Sequence, residues 1–256
     1  MSTTIPQSGF SGAFSLRTTR SAVFLTALLV CLGTSLGAAP RQARDLDAEG
    51  IALLFKGDYR GALKAFDASL AKDPKNARAL ANRCTARYQL GDDDGAIADF
   101  KAAAALRPAL KDELARQVSD AHRRRGTRLA DAGDRQGAAR ELYAAVKLDR
   151  GHARAYAGIG ELAVLNAEHR TALDYFGRAL KLDKDLDSAL AGRAGARLAL
   201  GQLRGALADA DAAILLRPSE PGHFRLRARV HRALGMTDAA LKDERRASEL
   251  RRPRGP

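Results

Sequence analysis

ARAYAGIGELAVLNAEHRTALDYFGRALKLDKDL, residues 153–186, decides the fold. In its first half Tyr156, Ile159, Gly160 and Ala163 fall three and four residues apart and so share one helical face. Ala172, Leu173, Phe176, Ala179 and Leu180 do the same in the second half, with the polar Asn166, Glu168 and His169 between the two. Helices this short are marginal alone, because nucleation is costly and few residues follow to repay it. Such a pair buries its apolar stripe by stacking on copies of itself.

The copies are present. A small residue in the first helix recurs as Gly50, Cys84, Gly126, Gly160, Ala194 and Ala228, and an alanine early in the second as Ala62, Ala96, Ala138, Ala172, Ala206 and Ala240. Both columns step by 34 residues, with one step of 42. A turn glycine (Gly57, Gly91, Gly133, Gly201, Gly235), a bulky residue (Phe66, Phe100, Leu142, Phe176), a second small residue from Ser69 to Ala247 and a closing proline (Pro74, Pro108, Pro218) keep the same spacing. A glycine inside a helix costs roughly 1 kcal/mol relative to alanine. Gly126 and Gly160 are therefore expected where the paired helix comes close, with Ala138 and Ala172 at the contact and the phenylalanines wedged between one pair and the next.

This pattern resembles the tetratricopeptide repeat over residues 43–256. The resemblance implies an all-α, right-handed solenoid of about six helix pairs: 43–76, 77–110, 119–152, 153–186, 187–220 and 221–254. The irregular step makes 111–118 a helical insertion, expected to lengthen the third pair's first helix by two turns and overhang by about 12 Å. The polar DERRASELRR near the C-terminus suits a helix that caps the array.

The first 39 residues differ from the rest. Arg17 and Arg20 precede the uncharged run Ser21–Ala39, a positive n-region followed by an apolar h-region. Residues 1–39 therefore read as a signal peptide cut after Gly37 or Ala38, or as an uncleaved signal anchor, with 40–42 as linker. In both cases the repeats lie outside the cytoplasm, periplasmic or anchored in an inner membrane. A lipoprotein acylated at Cys31 fits poorly, since Leu28, Leu29 and Val30 before it are large. Without Cys31, Cys84 has no intramolecular disulfide partner and reads as a buried apolar thiol.

The chain carries a formal charge of +13. That favours acidic partners: a protein or peptide segment, an anionic membrane surface, or nucleic acid. The resemblance implies that first helices line a concave, peptide-binding surface. In register, Arg78, Asn82, Arg123, Arg124, Arg154, Arg225, Arg229 and Arg232 look into it, opposed by Asp47, Asp120, Asp131 and Glu161. Asn82 and Arg124 fall at two positions of the family's chaperone-tail clamp, but Asp47, Ile51 and Asp120 replace its lysines and asparagine. The expected function is a non-enzymatic scaffold of the bacterial envelope holding an acidic segment. RNA binding is the first alternative, disfavoured by export and by an aromatic content of 5%. An accessory subunit recruiting a separate enzyme is the second.

No cofactor, metal site or catalytic constellation is expected. His122, His152, His169, His223 and His231 are dispersed, without HExxH or CxxC spacing. No GxSxG, P-loop or dinucleotide fingerprint occurs. His223 and His231, eight apart, are expected at the surface.

Overall fold

A computed structural model describes residues 41–251, so the expected signal or anchor segment and the last five residues lie outside it. Among the described residues there are twelve α-helices and no strand. They run α1 (Arg41–Lys56), α2 (Tyr59–Lys72), α3 (Ala77–Leu90), α4 (Asp93–Leu106), α5 (Leu110–Asp131), α6 (Arg135–Leu148), α7 (Ala153–Leu165), α8 (His169–Leu182), α9 (Asp187–Ala199), α10 (Leu203–Leu216), α11 (Pro221–Ala233) and α12 (Thr237–Arg251). Each helix packs on the next, forming six antiparallel pairs in a right-handed solenoid. First helices also touch one another from pair to pair, α1 on α3 through to α9 on α11. Second helices stand farther apart, bridged at Tyr143 and Tyr175. The closer-packed layer of a curved array is its inner one, so first helices line the hollow. Among the described residues no helix is long and apolar enough to cross a membrane.

The turn within a pair follows from local chemistry. Gly57, Gly91, Gly133, Gly201 and Gly235 all have positive φ, which ends the first helix in the left-handed region. In three pairs the next residue is an aspartate that caps the second helix: Asp58, Asp92 and Asp134 accept from the amides of Gly61, Gly95 and Gly137 at 2.8–2.9 Å. The fourth pair breaks the rule, because Ala167 takes the left-handed conformation at φ 59°. A Cβ is strained there, so Ala167→Gly is expected to stabilise the array by about 0.5–1 kcal/mol. Urea unfolding would show it; an unchanged or lower midpoint would refute it.

The helix-core glycines are explained by the bulky column more than by the alanines. A Cβ on Gly50 would lie 2.6 Å from the Phe66 ring, on Gly126 2.9 Å from Leu142, and on Gly160 2.9 Å from Phe176. The alanines of the second helix contribute less: the Ala138 carbonyl would be 3.3 Å from a Cβ on Gly126. Leu142 and Phe176 also reach the following pair, where Cβ atoms on Gly158 and Gly192 would meet them at 2.9 and 2.3 Å. These two side chains are the wedges that set the angle between pairs.

The insertion is helical but does not overhang. Leu110, Leu114 and Val118 are buried in the core of the second pair. Side-chain contacts between α3 and α5 join residues 32 apart at Thr85–Gln117 and Tyr88–Asp120. The uninterrupted pairs have the same separation: 32 at Asp120–His152 and 36 at Asp187–His223. Helix α5 therefore docks on the second pair with a register that starts inside the insertion, and on its own partner α6 with a register that starts eight residues later. The array steps sideways at this helix by two turns, about 12 Å. The expected protrusion is absent because its apolar face continues the ordinary packing pattern.

Candidate protein-binding face

Along the hollow, the eight residues expected to face a ligand divide by what holds them. Arg123 donates to Asp120 at 2.8 Å. Arg124 is clamped on Asp93, whose side chain is 1% exposed, and also donates to the Tyr88 carbonyl at 3.3 Å while its guanidinium lies 4.5 Å from the Tyr88 ring centre. Arg128 completes that clamp at 2.5 Å. Asn82 is 4% exposed and so closed to a ligand. Arg232 is exposed but paired with Glu244. Arg78 is half-buried, and two of its guanidinium nitrogens are enclosed without an acceptor. Arg154, Arg225 and Arg229 are exposed and enter no ion pair among the described residues.

Asp120 is the hub of the middle repeats. Burial raises its pKa, yet hydrogen bonds and positive charge from His152 and Arg123 outweigh that and hold the carboxyl well below the usual range. The Tyr88 hydroxyl donates to it at 3.2 Å, and burial together with that negative charge pushes the phenol up. Glu161 is open on one side and crowded on the others. Partial loss of water raises its carboxyl pKa, Arg123 opposes this and Asp131 adds to it. The middle of the hollow is thus a network of paired charges, and its unpaired positive charge lies toward the C-terminal repeats. On α11 the exposed stripe of Arg225, Arg229 and Arg232 points away from the buried His223, Phe224, Ala228 and Val230.

Most other first-helix cations serve the fold, which spacing alone did not suggest. Arg83 donates to Asp99 at 2.9 and 2.7 Å, joined by Arg87 at 2.8 Å. Arg193 and Arg197 hold Asp209 in the same way at 2.7–2.8 Å. Arg227 holds Asp243 at 2.6–2.9 Å, and the His231 ring lies 3.1 Å from the same carboxylate. The three acidic side chains are 4–6% exposed. The available signal was an arginine followed sixteen residues later by aspartate just before the bulky column. His223 also departs from expectation: it is buried against Asp187 at 3.1 Å, and His231 is half-buried in its clamp, so neither is a surface residue. Cys84 is buried, and loss of water pushes its thiol up to about 12, which leaves it unreactive.

Residues 48–111, spanning the first two pairs, match the tetratricopeptide repeat family model. Over those residues the chain carries the tetratricopeptide repeat. The same repeat geometry extends through all six pairs, and solved tetratricopeptide structures superpose on it. PilF of Pseudomonas aeruginosa is 17% identical with a TM-score of 0.56, over 82% of this chain and 92% of that one. A chain of the APC/C hetero-tetramer Cut9-Hcn1 is 18% identical with a TM-score of 0.55; the match covers 90% of this chain but 43% of that one. YrrB, a TPR protein with an unusual peptide-binding site, is 15% identical with a TM-score of 0.54, over 74% of this chain and 93% of that one. At such identities the likeness concerns the fold. No curated protein matches in sequence. Tetratricopeptide arrays are interaction scaffolds that bind protein or peptide partners and are generally not enzymes. Among the described residues no cluster of metal-ligating side chains occurs.

Proposed function

We propose that this tetratricopeptide array is a non-enzymatic scaffold of the bacterial cell envelope, which holds an extended acidic segment of a partner protein in the hollow of repeats four to six. The observation that carries the ligand class is the pair Arg225 and Arg229, four residues apart on α11, exposed and uncancelled by any carboxylate among the described residues. Arg154 adds a third free cation on α7. Guanidinium forks match carboxylates in a planar, two-bond geometry, which suits aspartate or glutamate side chains. Between them the α9 wall is low, with Ser188, Ala191 and Gly195, and a Cβ on Gly195 would meet nothing within 4 Å. An extended backbone can approach closely there, while half-buried Val164 and Leu198 accept apolar side chains. The positive n-region and apolar run of residues 1–39 support an address outside the cytoplasm, where an anionic membrane surface is a second place for this charge to act.

Titration with a fluorescent acidic peptide tests the site. Arg225→Glu with Arg229→Glu is expected to weaken binding by about tenfold or more. Equal binding by that variant, or indifference of the native chain to the peptide, would move the site elsewhere. N-terminal sequencing of the chain recovered from cell fractions tests the address, and an intact chain in the cytosol would contradict it.

A further inference from the structure

One ionic contact recurs between neighbouring pairs inside the array. Arg83, seventh in its repeat, reaches back to Asp67, twenty-fifth in the repeat before, at 2.7 Å. Arg227 reaches Asp211 from the same two positions at 2.7 Å. Among the described residues these positions face no neighbour at the two ends of the array. The seventh residue of the first repeat is Glu49 and the twenty-fifth of the last is Arg245. Both are exposed, and neither enters an ion pair among the described residues. Glu49 also lacks a role within its own pair, because Ala65 stands where Asp99, Asp209 and Asp243 anchor the interior clamps.

The end charges are exchanged in sign relative to the interior but remain complementary. Transferring the interior geometry to the two ends sets Glu49 against Arg245. The same transfer brings Lys56, at the end of α1, over the first turn of α12, which carries the exposed Asp238. Inside the array Asn166, fourteenth in its repeat like Lys56, is met at 3.4 Å by Arg135, which stands one position before that of Asp238. A shallow concavity of about 610 Å³ lies along α12, lined among others by Phe224, Arg227, Leu241, Asp243 and Arg245. Leu241 is 45% exposed, an apolar anchor left uncovered among the described residues.

We infer that the chain associates with itself head to tail, the α1–α2 end of one copy capping the α11–α12 end of another through Glu49 and Arg245. The partner is a second copy of this chain. The contact joins different surfaces, so it does not close at two copies and leads to a ring or a filament. It also weakens with added salt, because the paired charges lie near solvent.

Sedimentation velocity of the full chain over a concentration series is the test. The mass is expected to rise with concentration and to fall with salt. Glu49→Arg alone and Arg245→Glu alone are each expected to weaken association by about tenfold or more, with helix content unchanged by circular dichroism. Mixing the two variants restores the pairing and is expected to restore association, which a folding defect would not. A chain monomeric throughout overturns the inference. So does association indifferent to both reversals, the result expected if the apolar N-terminal run drove it, and so does a mixture that fails to recover.

Discussion

Replacing Arg83 and Arg87 together by methionine is expected to cost the array about 3–5 kcal/mol, the largest effect of any polar change in the interior. The Asp99 side chain is 4% exposed, receives two charge-assisted hydrogen bonds from Arg83 and forms an ion pair with Arg87 at 2.8 Å. Arg83 carries most of that load, and the carboxylate beside it raises the guanidinium pKa. Without the arginines a buried carboxylate has no counter-charge, and its desolvation is uncompensated. Adding Asp99→Leu to the double variant removes the stranded charge, so most of the loss is expected to return. Urea unfolding of the native chain and the two variants separates the possibilities. A double variant within about 1 kcal/mol of native would mean that the clamp contributes no more than a surface ion pair.

Phe176→Ala is expected to cost about 3–5 kcal/mol. The ring is fully buried and fills the angle between the fourth and fifth pairs, with Gly160 on one side and Gly192 on the other. Gly192→Ala should destabilise by about 1–3 kcal/mol for the opposite reason, since its Cβ would come 2.3 Å from the ring edge. The two changes touch the same space and should not add. In the Phe176→Ala background Gly192→Ala is expected to be neutral or mildly stabilising. Additive losses would show that the wedge does not press on this glycine.

The repeat period, the turns and the wedges were legible because each rests on local geometry. Gly57 or Gly133 reads as a helix end because a left-handed backbone excludes a Cβ without strain, and an aspartate after it reads as a cap. Phe176 reads as a wedge because its column is bulky wherever the small column opposite it is glycine. The insertion was legible as helix, but its placement was not. Leu110, Leu114 and Val118 fit an overhang and a continued stack equally well until the second pair's surface is present to receive them.

The candidate face was legible only as a set of positions. Arg123 and Arg225 both stand fifth in their repeats, yet one is paired with Asp120 and the other enters no ion pair among the described residues. Spacing reports which face of a helix a residue occupies and nothing about the charge that a neighbouring helix brings to it.

The sequence by itself determined six helix pairs, their turns and the stacking that makes them one array, since the hydrophobic period and glycine backbone freedom act within a few residues. Only the tertiary structure decided the sideways step at α5 and which arginines are spent on buried acids. Those outcomes depend on groups sixteen to thirty-six residues apart, whose solvation is set when the pairs close on one another.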